Sequence, residues 1–475
     1  MIAEVVGPQT GLESQTGLEK WPGVAAIAGW VRSGALSAVA LIESLLARIE
    51  AENPRYNCFT AILSDRARAE AAAVDAKVAR GEDPGPLAGM PFGVKDNYDV
   101  AGRVTTAGSV VNRSLPPAQA DAVLIQRLNR AGAVLVGTQN MDEFAYGFTT
   151  ENAHYGATRN PLDPRRSAGG SSGGSGAAVA AGLCALSLGT DTNGSIRVPA
   201  SFCGVFGLKP SYGRLPRTGT FPFVHDLDHL GLLGRSAADL AQVYDAVQGY
   251  DAGDHACGRR ATDLTAPGLD TPLDGSIAVL GGWFDELADD QGREAVALVA
   301  EVLGASDRIV LPHAQRARAA AFVLTAASGG NLHLEALRAN ADAFDPATRD
   351  RLLAGTLVPA NAVLQTQRCR AQFHAEVMQA FARHQLLIAP ATPCSAPLLG
   401  QPTIRVGGSD VPARANIGLL TQPLSFIGLP IVSVPLRNRA MPIGVQLIAP
   451  PWREDLALRA AALIERAGVA STDYQ

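Results

Sequence analysis

Cysteine is scarce in this sequence, and the few cysteines present do not suggest a disulfide framework. Six cysteines are spread along 475 residues, and none of them belongs to a Cys-x-x-Cys pair. In a chain of this length such spacing predicts reduced, buried thiols in a cytoplasmic protein. Neither the cysteines nor the eight histidines have the spacing of metal ligands, so we expect no metal site.

Long apolar runs and an excess of positive charge are also missing. The longest run of small apolar residues, 177–189, is too short and too rich in glycine to span a bilayer. No basic segment followed by an apolar run marks a secretory signal near residue 1. The formal net charge is -5 and no basic tract stands out, which argues against nucleic acid or an anionic membrane as a direct partner. Hydrophobic residues nevertheless make up 47% of the chain, enough for a large core.

What the sequence does contain is an alternation of helical and strand-like segments. Ser37 is placed to cap a helix over about residues 38–52, whose apolar residues recur at three- and four-residue spacing. Asp121 is predicted to begin a second helix, which ends at Gly132. Apolar runs typical of buried strands occupy 133–137, 184–191, 431–436 and 443–448. The alternation predicts an α/β fold in which helices cover a mostly buried sheet.

A glycine- and serine-rich segment, RSAGGSSGGSG at 166–176, has several interpretations. It does not fit a flexible tether, because it leads into an alanine-rich helix and an apolar strand. It lacks the lysine that ends a phosphate-binding P-loop. It does match the Gly-x-Ser-x-Gly pattern of a nucleophile elbow, with Ser171 as the nucleophile. That motif follows a strand, however, and we predict no strand in the preceding segment, 160–168.

Three segments considered together favour a different arrangement. MPFGVKDN contains Lys95, GGSSGGSG contains Ser171, and GTDTNGSIRVP contains Ser195 in a second tight turn. Lysine is a base only when it is neutral, and burial beside hydroxyl groups lowers its pKa from about 10.4 toward neutrality. One serine could then relay a proton from the other serine to the lysine while that other serine attacks a carbonyl. A tight turn also presents the backbone N–H groups that an oxyanion requires.

These motifs, in this order and with 24 positions from Ser171 to Ser195, resemble those of the amidase signature family of serine amidohydrolases. The resemblance implies that Ser195 is the nucleophile and that Lys95 is the general base and acid. Ser171, in a cis peptide bond with Gly170, would relay the proton between them. Such a triad needs no metal and no organic cofactor.

The same resemblance gives roles to the rest of the second turn. Asp191 and Arg197 match the positions that support the turn. The backbone N–H groups expected to form the oxyanion hole are those of Thr192, Asn193, Gly194 and Ser195. Many family members have Gly-Gly-Ser where this chain has Asn193-Gly194-Ser195, so this chain has an extra side chain beside the oxyanion hole.

The resemblance covers nearly the whole chain and implies one domain, 1–475, with a large mixed β-sheet between layers of helices (α/β/α). The signature region would span about 85–215, and a helix-rich cap would span about 251–375. Segments outside the triad, among them FPFVHDLDHLG and GLLTQPLSFIGLPIV, resemble a subgroup whose members hydrolyse 1-carboxybiuret or biuret. The implied substrate is a small, carboxylated or urea-like amide.

A carboxylated substrate calls for a cation in the pocket, since a guanidinium binds a carboxylate bidentately. Arg368 and Arg370 lie in one helical segment and cannot share a face, so at most one of them points inward. Arg370 matches a substrate-binding arginine of related amidotransferase A subunits, although a solvated helix arginine fits the sequence equally well. Further candidates for the pocket wall are Tyr146, Thr149, Thr150 and His333.

Two other activities fit the same motifs. One is the glutamine-hydrolysing A subunit of a tRNA-dependent amidotransferase, and the other is a general amidase for aliphatic or aryl amides. A binding protein without catalysis is disfavoured by the complete set of Lys95, Ser171 and Ser195. As partners we expect the small-molecule amide, a small accessory subunit of the kind that amidotransferase relatives bind, and further copies in an oligomer.

Overall fold

One mixed β-sheet of eleven strands forms the centre of the fold, in a computed structural model that describes residues 21–436 and 441–472. Three further pairs of short strands form separate two-stranded sheets. In chain order the strands are β1 (Phe59–Ile62), β2 (Pro91–Lys95), β3 (Val134–Gln139), β4 (Glu151–Asn152), β5 (Gly156–Ala157), β6 (Arg159–Asn160), β7 (Asp163–Ser167), β8 (Leu186–Asp191), β9 (Phe206–Lys209), β10 (His229–Gly234), β11 (Ile277–Leu280), β12 (Asp307–Ile309), β13 (Leu386–Pro390), β14 (Thr403–Val406), β15 (Ser409–Pro412), β16 (Ile431–Leu436) and β17 (Ile443–Ile448).

The main sheet runs in the order β1-β3-β2-β8-β10-β9-β16-β17-β13-β11-β12. Parallel pairs join β3, β2 and β8 near one edge and β13, β11 and β12 at the other edge. The remaining neighbours are antiparallel, so the predicted mixed sheet is confirmed. Strands such as β11 and β13 are buried along their whole length, which explains their continuous apolar sequences.

Helices lie on both faces of this sheet. In chain order the α-helices of the described residues are α1 (Val24–Arg32), α2 (Ala38–Tyr56), α3 (Ser64–Ala79), α4 (Val123–Arg130), α5 (Gly173–Ala180), α6 (Arg197–Cys203), α7 (Ala237–Val247), α8 (Trp283–Glu286), α9 (Asp290–Val302), α10 (Ala314–Leu332), α11 (Leu334–Asn340), α12 (Pro346–Thr356), α13 (Ala360–Phe381), α14 (Ala413–Asn416), α15 (Gln422–Phe426) and α16 (Glu454–Arg466). None of them combines the length and the apolar character needed to cross a membrane.

Alternate side chains of β16 show how the two helical layers are filled. Val432 and Val434 pack in the core that contains α7 and α16, whereas Ile431 packs in the core that contains α10 and α13. Successive side chains of a strand point to opposite faces, so these two cores lie on opposite sides of the sheet. The predicted α/β/α layering is therefore confirmed.

Several elements predicted from the sequence have the expected position. Helix α2 begins after Ser37, whose hydroxyl accepts the Ala40 N–H at 3.2 Å. Strands β16 and β17 coincide with two of the predicted apolar runs. Gly132 follows the end of α4 with a φ of +91°, the left-handed conformation expected after a helix.

Two local predictions are wrong. Helix α4 begins at Val123 and not at Asp121, because the Asp121 carboxylate instead binds Arg66, whose guanidinium donates to its two oxygens at 2.8 and 2.7 Å. The segment before Ser171 contains strand β7, which pairs with β6 outside the main sheet. A nucleophile elbow follows a strand of the central sheet, so β7 does not supply that context.

Two adjacent parallel strands, β2 and β8, position the polar centre of the molecule. Lys95 is the last residue of β2 and Asp191 is the last residue of β8, and both side chains are fully buried. The carboxyl ends of parallel neighbours lie at the same edge of a sheet, so the loops that follow them meet there. Helix α6 begins shortly after β8, which places its first turn at this edge.

The stretch 251–375, predicted as a helix-rich cap, supplies strands β11 and β12 as well as helices α8 to α12. Helices α10 and α12 approach each other closely. A Cβ on Gly355 would lie 1.9 Å from the Ala326 carbonyl oxygen, and a Cβ on Gly330 would lie 2.6 Å from the Thr356 nitrogen. Glycine at both positions therefore fixes how α12 lies on α10. The bounds of the signature region and of the cap stay predictions.

Candidate active site

Lys95, at the end of β2, is placed beside hydroxyl groups. Its Nζ lies 2.7 Å from Ser171 Oγ and 2.7 Å from Thr190 Oγ1. Burial lowers the pKa of Lys95 to about 7, although nearby carboxylates, Asp142 first among them, favour the ammonium form. A substantial fraction of this lysine is therefore neutral near neutral pH, with a lone pair that can accept a hydroxyl proton.

Ser171 lies in a loop that depends on its glycine neighbours. The Gly170–Ser171 peptide bond is cis, as predicted. A Cβ on Gly170 would lie 2.1 Å from Asp142 Oδ2, and Gly169 has a φ of +79°. The Ser171 carbonyl accepts the Asp142 N–H at 3.3 Å, which holds the loop against the segment that follows β3. The Ser171 hydroxyl is thereby kept beside the lysine.

The turn after β8 is held by a buried ion pair between Asp191 and Arg197. Arg197 Nε and Nη2 donate to Asp191 Oδ2 and Oδ1 at 3.0 and 2.9 Å. Asp191 Oδ1 also accepts the Gly194 N–H at 2.7 Å, and Oδ2 accepts the Ile196 N–H at 3.2 Å. Burial alone would raise the pKa of Asp191, but Arg197 holds it well below its usual range. The ionised carboxylate thus orders the turn that carries Ser195.

The four backbone N–H groups predicted to form the oxyanion hole differ in their partners. Within residues 21–436 and 441–472, those of Thr192, Asn193 and Ser195 donate no hydrogen bond. The Gly194 N–H donates to the aspartate of the turn, so the prediction does not hold at that position. Gly194 has a φ of +136°, and a Cβ there would lie 2.1 Å from Thr421 Oγ1. Its glycine is needed for the turn to close.

The two serine loops touch each other at this edge of the sheet. The Ser172 N–H donates to the Ser195 carbonyl at 3.2 Å, and the Ser172 hydroxyl donates to the Thr190 carbonyl at 3.1 Å. The lysine and both serine loops therefore meet, as the sequence motifs predict. Thr190 is not among the residues predicted from the sequence, although its position one residue before Asp191, in a buried strand next to β2, would have indicated it.

A small cavity lies beside Ser195. Its wall combines aromatic rings with a few polar side chains, which is common in sites for small molecules. Besides Ser195, the polar residues of the wall are Tyr146, Thr192, Asn193, Thr325, Arg351 and Gln422. Among the described residues, no group of three or more His, Cys, Asp or Glu side chains is arranged to hold a metal ion.

Arg351, in helix α12, brings a positive charge to the cavity wall, and its side chain is half-buried. Its guanidinium lies 3.7 Å from the centre of the Tyr146 ring, and Nη1 donates to the Tyr146 carbonyl at 3.0 Å. No carboxylate in the described part of the chain lies within ion-pair distance of it. Burial lowers the pKa of Arg351, but a guanidinium stays charged near neutral pH. The cavity can therefore receive an anionic group of a small molecule.

Of the predicted substrate-binding residues, Tyr146 lines this cavity, whereas Thr149 and Thr150 do not. The Thr149 carbonyl accepts the Ser167 hydroxyl at 2.9 Å, and the Thr150 hydroxyl accepts the Gly173 N–H at 3.1 Å. Both threonines thus hold the ends of the first serine loop. Their predicted contact with the substrate stays a prediction.

His333 and Arg370 also lie outside the cavity wall. The His333 ring centre is 4.0 Å from that of Phe144, and burial lowers the pKa of His333 to about 4. Arg370 donates to the Asp226 carbonyl at 3.0 Å, and the other candidate, two residues earlier, is exposed. Among the described residues, Arg351 is the arginine that lines the cavity, and the role predicted for Arg370 in substrate binding stays a prediction.

Comparison with known proteins assigns the chain to a family. The family model for Amidase matches residues 40–458. The chain is 53% identical over 444 residues to the AtzE subunit of 1-carboxybiuret hydrolase from Pseudomonas sp. (strain ADP), with 93% of this chain and 97% of that protein covered. It is 36% identical over 475 residues to the A subunit of glutamyl-tRNA(Gln) amidotransferase from Synechococcus sp. (strain RCC307), with 92% and 95% covered.

A solved structure gives the same result at the level of the fold. It is described as a vestigial protein complex that reveals the evolutionary origins of an s-triazine catabolic enzyme. It shares 52% identity and a TM-score of 0.93 with this chain, and the match covers 95% of this chain and 99% of the other. The chain belongs to the amidase signature family and is a hydrolase that acts on carbon–nitrogen bonds of amides.

Proposed function

We propose that this chain hydrolyses a small carboxylated or urea-like amide, such as 1-carboxybiuret or biuret, through an acyl-enzyme formed on Ser195. The observation that carries the proposal is the 2.7 Å contact between Lys95, whose pKa is about 7, and Ser171, in a loop that touches the Ser195 turn. The 53% identity to a protein of 1-carboxybiuret hydrolase supports the choice of substrate.

In the first half of the reaction, Ser195 Oγ attacks the substrate carbonyl carbon and loses its proton. Ser171 accepts that proton while it passes its own to Lys95 Nζ, so the lysine becomes an ammonium ion. Lys95 is suited to this step because its pKa lies close to neutral pH. The carbonyl oxygen becomes negative and accepts hydrogen bonds from the free N–H groups of the turn, which include those of Thr192 and Asn193.

In the second half, the tetrahedral intermediate collapses as its C–N bond breaks. The Lys95 ammonium ion returns a proton through Ser171 to the leaving nitrogen, which departs as ammonia or an amine. The acyl group stays on Ser195 Oγ until a water molecule, deprotonated by the same relay, attacks the ester carbonyl. Cleavage of the C–Oγ bond then releases the acid and restores the Ser195 hydroxyl.

Arg351 is proposed to bind the carboxylate of the substrate. Its half-buried side chain lies in the cavity wall, and its guanidinium has no carboxylate partner among the described residues. An ion pair with a substrate is stronger in such a desolvated cavity than in water, and a guanidinium can bind both carboxylate oxygens.

Glutamine hydrolysis, in the manner of an amidotransferase A subunit, is the second candidate activity and is favoured by the 36% identity to such a protein. Glutamine also carries a carboxylate and a terminal amide, so Arg351 would serve either substrate. A general amidase for aliphatic or aryl amides, in contrast, has no need of a buried cation. Turnover of 1-carboxybiuret, biuret and glutamine by the purified chain distinguishes the three activities.

We further propose an oligomeric assembly that includes a small accessory subunit. The 53% identical relative is named as one subunit of its enzyme, and the structure with a TM-score of 0.93 is described as a protein complex. Purification from native cells, followed by light scattering and mass spectrometry of co-eluting chains, tests the proposal. A monomer that is fully active alone would contradict it.

The substrate assignment is tested by a matched pair of arginine substitutions. Arg351→Ala is expected to raise KM for 1-carboxybiuret roughly 10- to 100-fold, because a desolvated charge pair is lost. Arg370→Ala is expected to leave KM within about twofold, since its contact is with a main-chain carbonyl outside the cavity. An unchanged KM in Arg351→Ala contradicts the carboxylate assignment. Wild-type enzyme that hydrolyses neither 1-carboxybiuret nor biuret, both alone and with its co-purified accessory subunit, contradicts the proposed function.

A further inference from the structure

Asn193 carries the side chain that distinguishes this turn from Gly-Gly-Ser. It lies two residues before Ser195, lines the same cavity and is only 6% exposed. Its Nδ2 donates to Thr325 Oγ1 at 2.9 Å, and its main-chain carbonyl accepts the Thr421 hydroxyl at 2.7 Å. These contacts hold the side-chain amide in one orientation before any substrate binds.

The other polar atom of this amide has no partner inside the protein. Asn193 Oδ1 is buried and accepts no hydrogen bond from any residue of the described ranges. A buried carbonyl oxygen without a donor is costly, and such groups in native proteins call for an explanation. Since Asn193 lines the cavity together with Ser195, a molecule bound there is the available source of a donor.

The position of the scissile carbonyl decides which substrate group meets Asn193. Its carbon must lie against Ser195 Oγ, so the two substituents of that carbon lie within reach of the flanking residues of the turn. In the amide of a carboxylic acid, N–H groups occur only on the nitrogen that leaves. A urea or an acylurea has a second nitrogen, which stays in the acyl group and offers an N–H donor.

We infer that Asn193 Oδ1 accepts a hydrogen bond from the N–H of this acyl-side nitrogen. This contact makes the site selective for urea-like amides over amides of carboxylic acids. The inference rests on the proposed function and adds the atom that recognises the substrate class. Arg351 and Asn193 then recognise different parts of the substrate. The arginine binds a carboxylate, and the asparagine oxygen accepts a hydrogen bond from the nitrogen next to the scissile carbonyl. A substrate with both features uses both contacts.

Two matched pairs of substrates isolate this contact. Malonamide has a CH₂ group where biuret has its central N–H, and succinamate has a CH₂ group where N-carbamoylglycine has an N–H. The second pair carries a carboxylate and the first does not. The measured quantity is the ratio of kcat/KM within each pair, compared between wild type and variants, so that intrinsic differences in reactivity cancel.

Asn193→Ala is expected to lower kcat/KM for the N–H substrate of a pair about tenfold more than for its CH₂ analogue. Asn193→Asp keeps an acceptor oxygen and is expected to restore part of the preference. Ser433→Ala is the matched control, because Ser433 Oγ is also buried without a partner but lies on β16, away from the cavity. It is expected to leave the ratio unchanged.

Circular dichroism first establishes that the variants are folded, so that a change in kcat/KM reports on the site. Equal losses on both members of a pair would overturn the inference, because Oδ1 would then contact the leaving nitrogen or only shape the turn. If Asn193→Ala does not fold, Asn193→Gly, the residue common in the family, takes its place under the same criteria. Failure of the wild-type enzyme, alone and with its accessory subunit, to hydrolyse 1-carboxybiuret and biuret overturns the proposed function, and the inference with it.

Discussion

Lys95 and Lys209 are both fully buried at the carboxyl ends of strands in the main sheet, β2 and β9. Their surroundings differ. Lys95 Nζ lies 2.7 Å from each of two hydroxyl oxygens, those of Ser171 and Thr190. Lys209 Nζ donates to two main-chain carbonyl oxygens, one of them in the residue that follows it. The same residue type in the same kind of position thus has two kinds of partner.

Comparing the two lysines separates the effect of burial on the lysine pKa from the chemical role of the hydrogen-bond partners. Burial lowers the pKa of both lysines, to about 7 for Lys95 and well below the ordinary value for Lys209, where the charge of Arg197 lowers it further. Carbonyl oxygens only accept hydrogen bonds, whereas hydroxyl groups both accept and donate. Burial lowers the pKa of the amine at either site, but only at Lys95 do the partners offer a path for a proton.

The largest expected effect comes from removing the amine of Lys95. Lys95→Met should lower kcat by about 10²- to 10⁴-fold, the contribution of a general base, while the chain stays folded. Steady-state kinetics on 1-carboxybiuret and thermal unfolding by circular dichroism measure the two quantities. A variant that keeps more than about half of the wild-type kcat would show that Lys95 is not the base.

Lys209→Met is the matched control for that substitution. It should leave kcat within a few fold and lower the free energy of unfolding by about 2 kcal/mol, because buried carbonyls lose their donor. If both methionine variants lost activity equally while folded, the distinction between the two lysines would fail.

The second expected effect is on the pH dependence of activity. Lys95 accepts a proton only when neutral, so kcat/KM should fall as pH drops through about 7. The decline should approach tenfold per pH unit, or roughly 100-fold at two units below the pKa. Rate measurements from about pH 5 to 9 give the profile, with Lys209→Met as a control of unchanged midpoint. A flat profile across this range would contradict a lysine base.

Thr190→Val should have a smaller effect, because it removes only one of the two hydroxyl partners of Lys95. We expect kcat to fall about tenfold and the acid limb to move to lower pH by about one unit, since the ammonium form loses an acceptor. Ser201→Ala, which removes a buried hydroxyl bonded to Thr392 at 2.9 Å, is the comparison variant. An acid limb at the wild-type position would show that Thr190 does not tune the lysine.

Much of the fold was accessible from the sequence because local patterns decide it. The Ser37 cap and the apolar runs of β16 and β17 are short-range signals, and the structure reproduces them. Asp121 shows the limit of such signals. Its type favours a helix cap, but a long-range ion pair with Arg66 takes its carboxylate. A residue's local preference for capping a helix is overridden where a residue distant in the chain binds the same side-chain atoms.

The candidate active site also contains some residues that local sequence signals predict and others that depend on contacts distant in the chain. Each motif around the lysine and the two serines is a short segment that resembles those of the amidase signature family, and this resemblance predicts that the lysine and both serine loops meet. Arg351 could not be predicted, because it lies in a polar helix whose sequence gives no sign of which side faces the cavity. Its position follows from the close packing of α12 on α10 at Gly330 and Gly355, a contact between residues distant in the chain. Gly330 and Gly355 are the feature of the sequence that could have indicated the close packing of these two helices.

The central claim is that Ser195 is the nucleophile and that Ser171 only relays its proton. Reactions quenched in acid during turnover of 1-carboxybiuret, digested and examined by mass spectrometry, locate the acyl group directly. We predict an acyl group on the peptide that contains Ser195, its absence in Ser195→Ala, and no acyl group on Ser171 in either protein. An acyl group found on Ser171, with Ser195→Ala still forming it, would contradict this account.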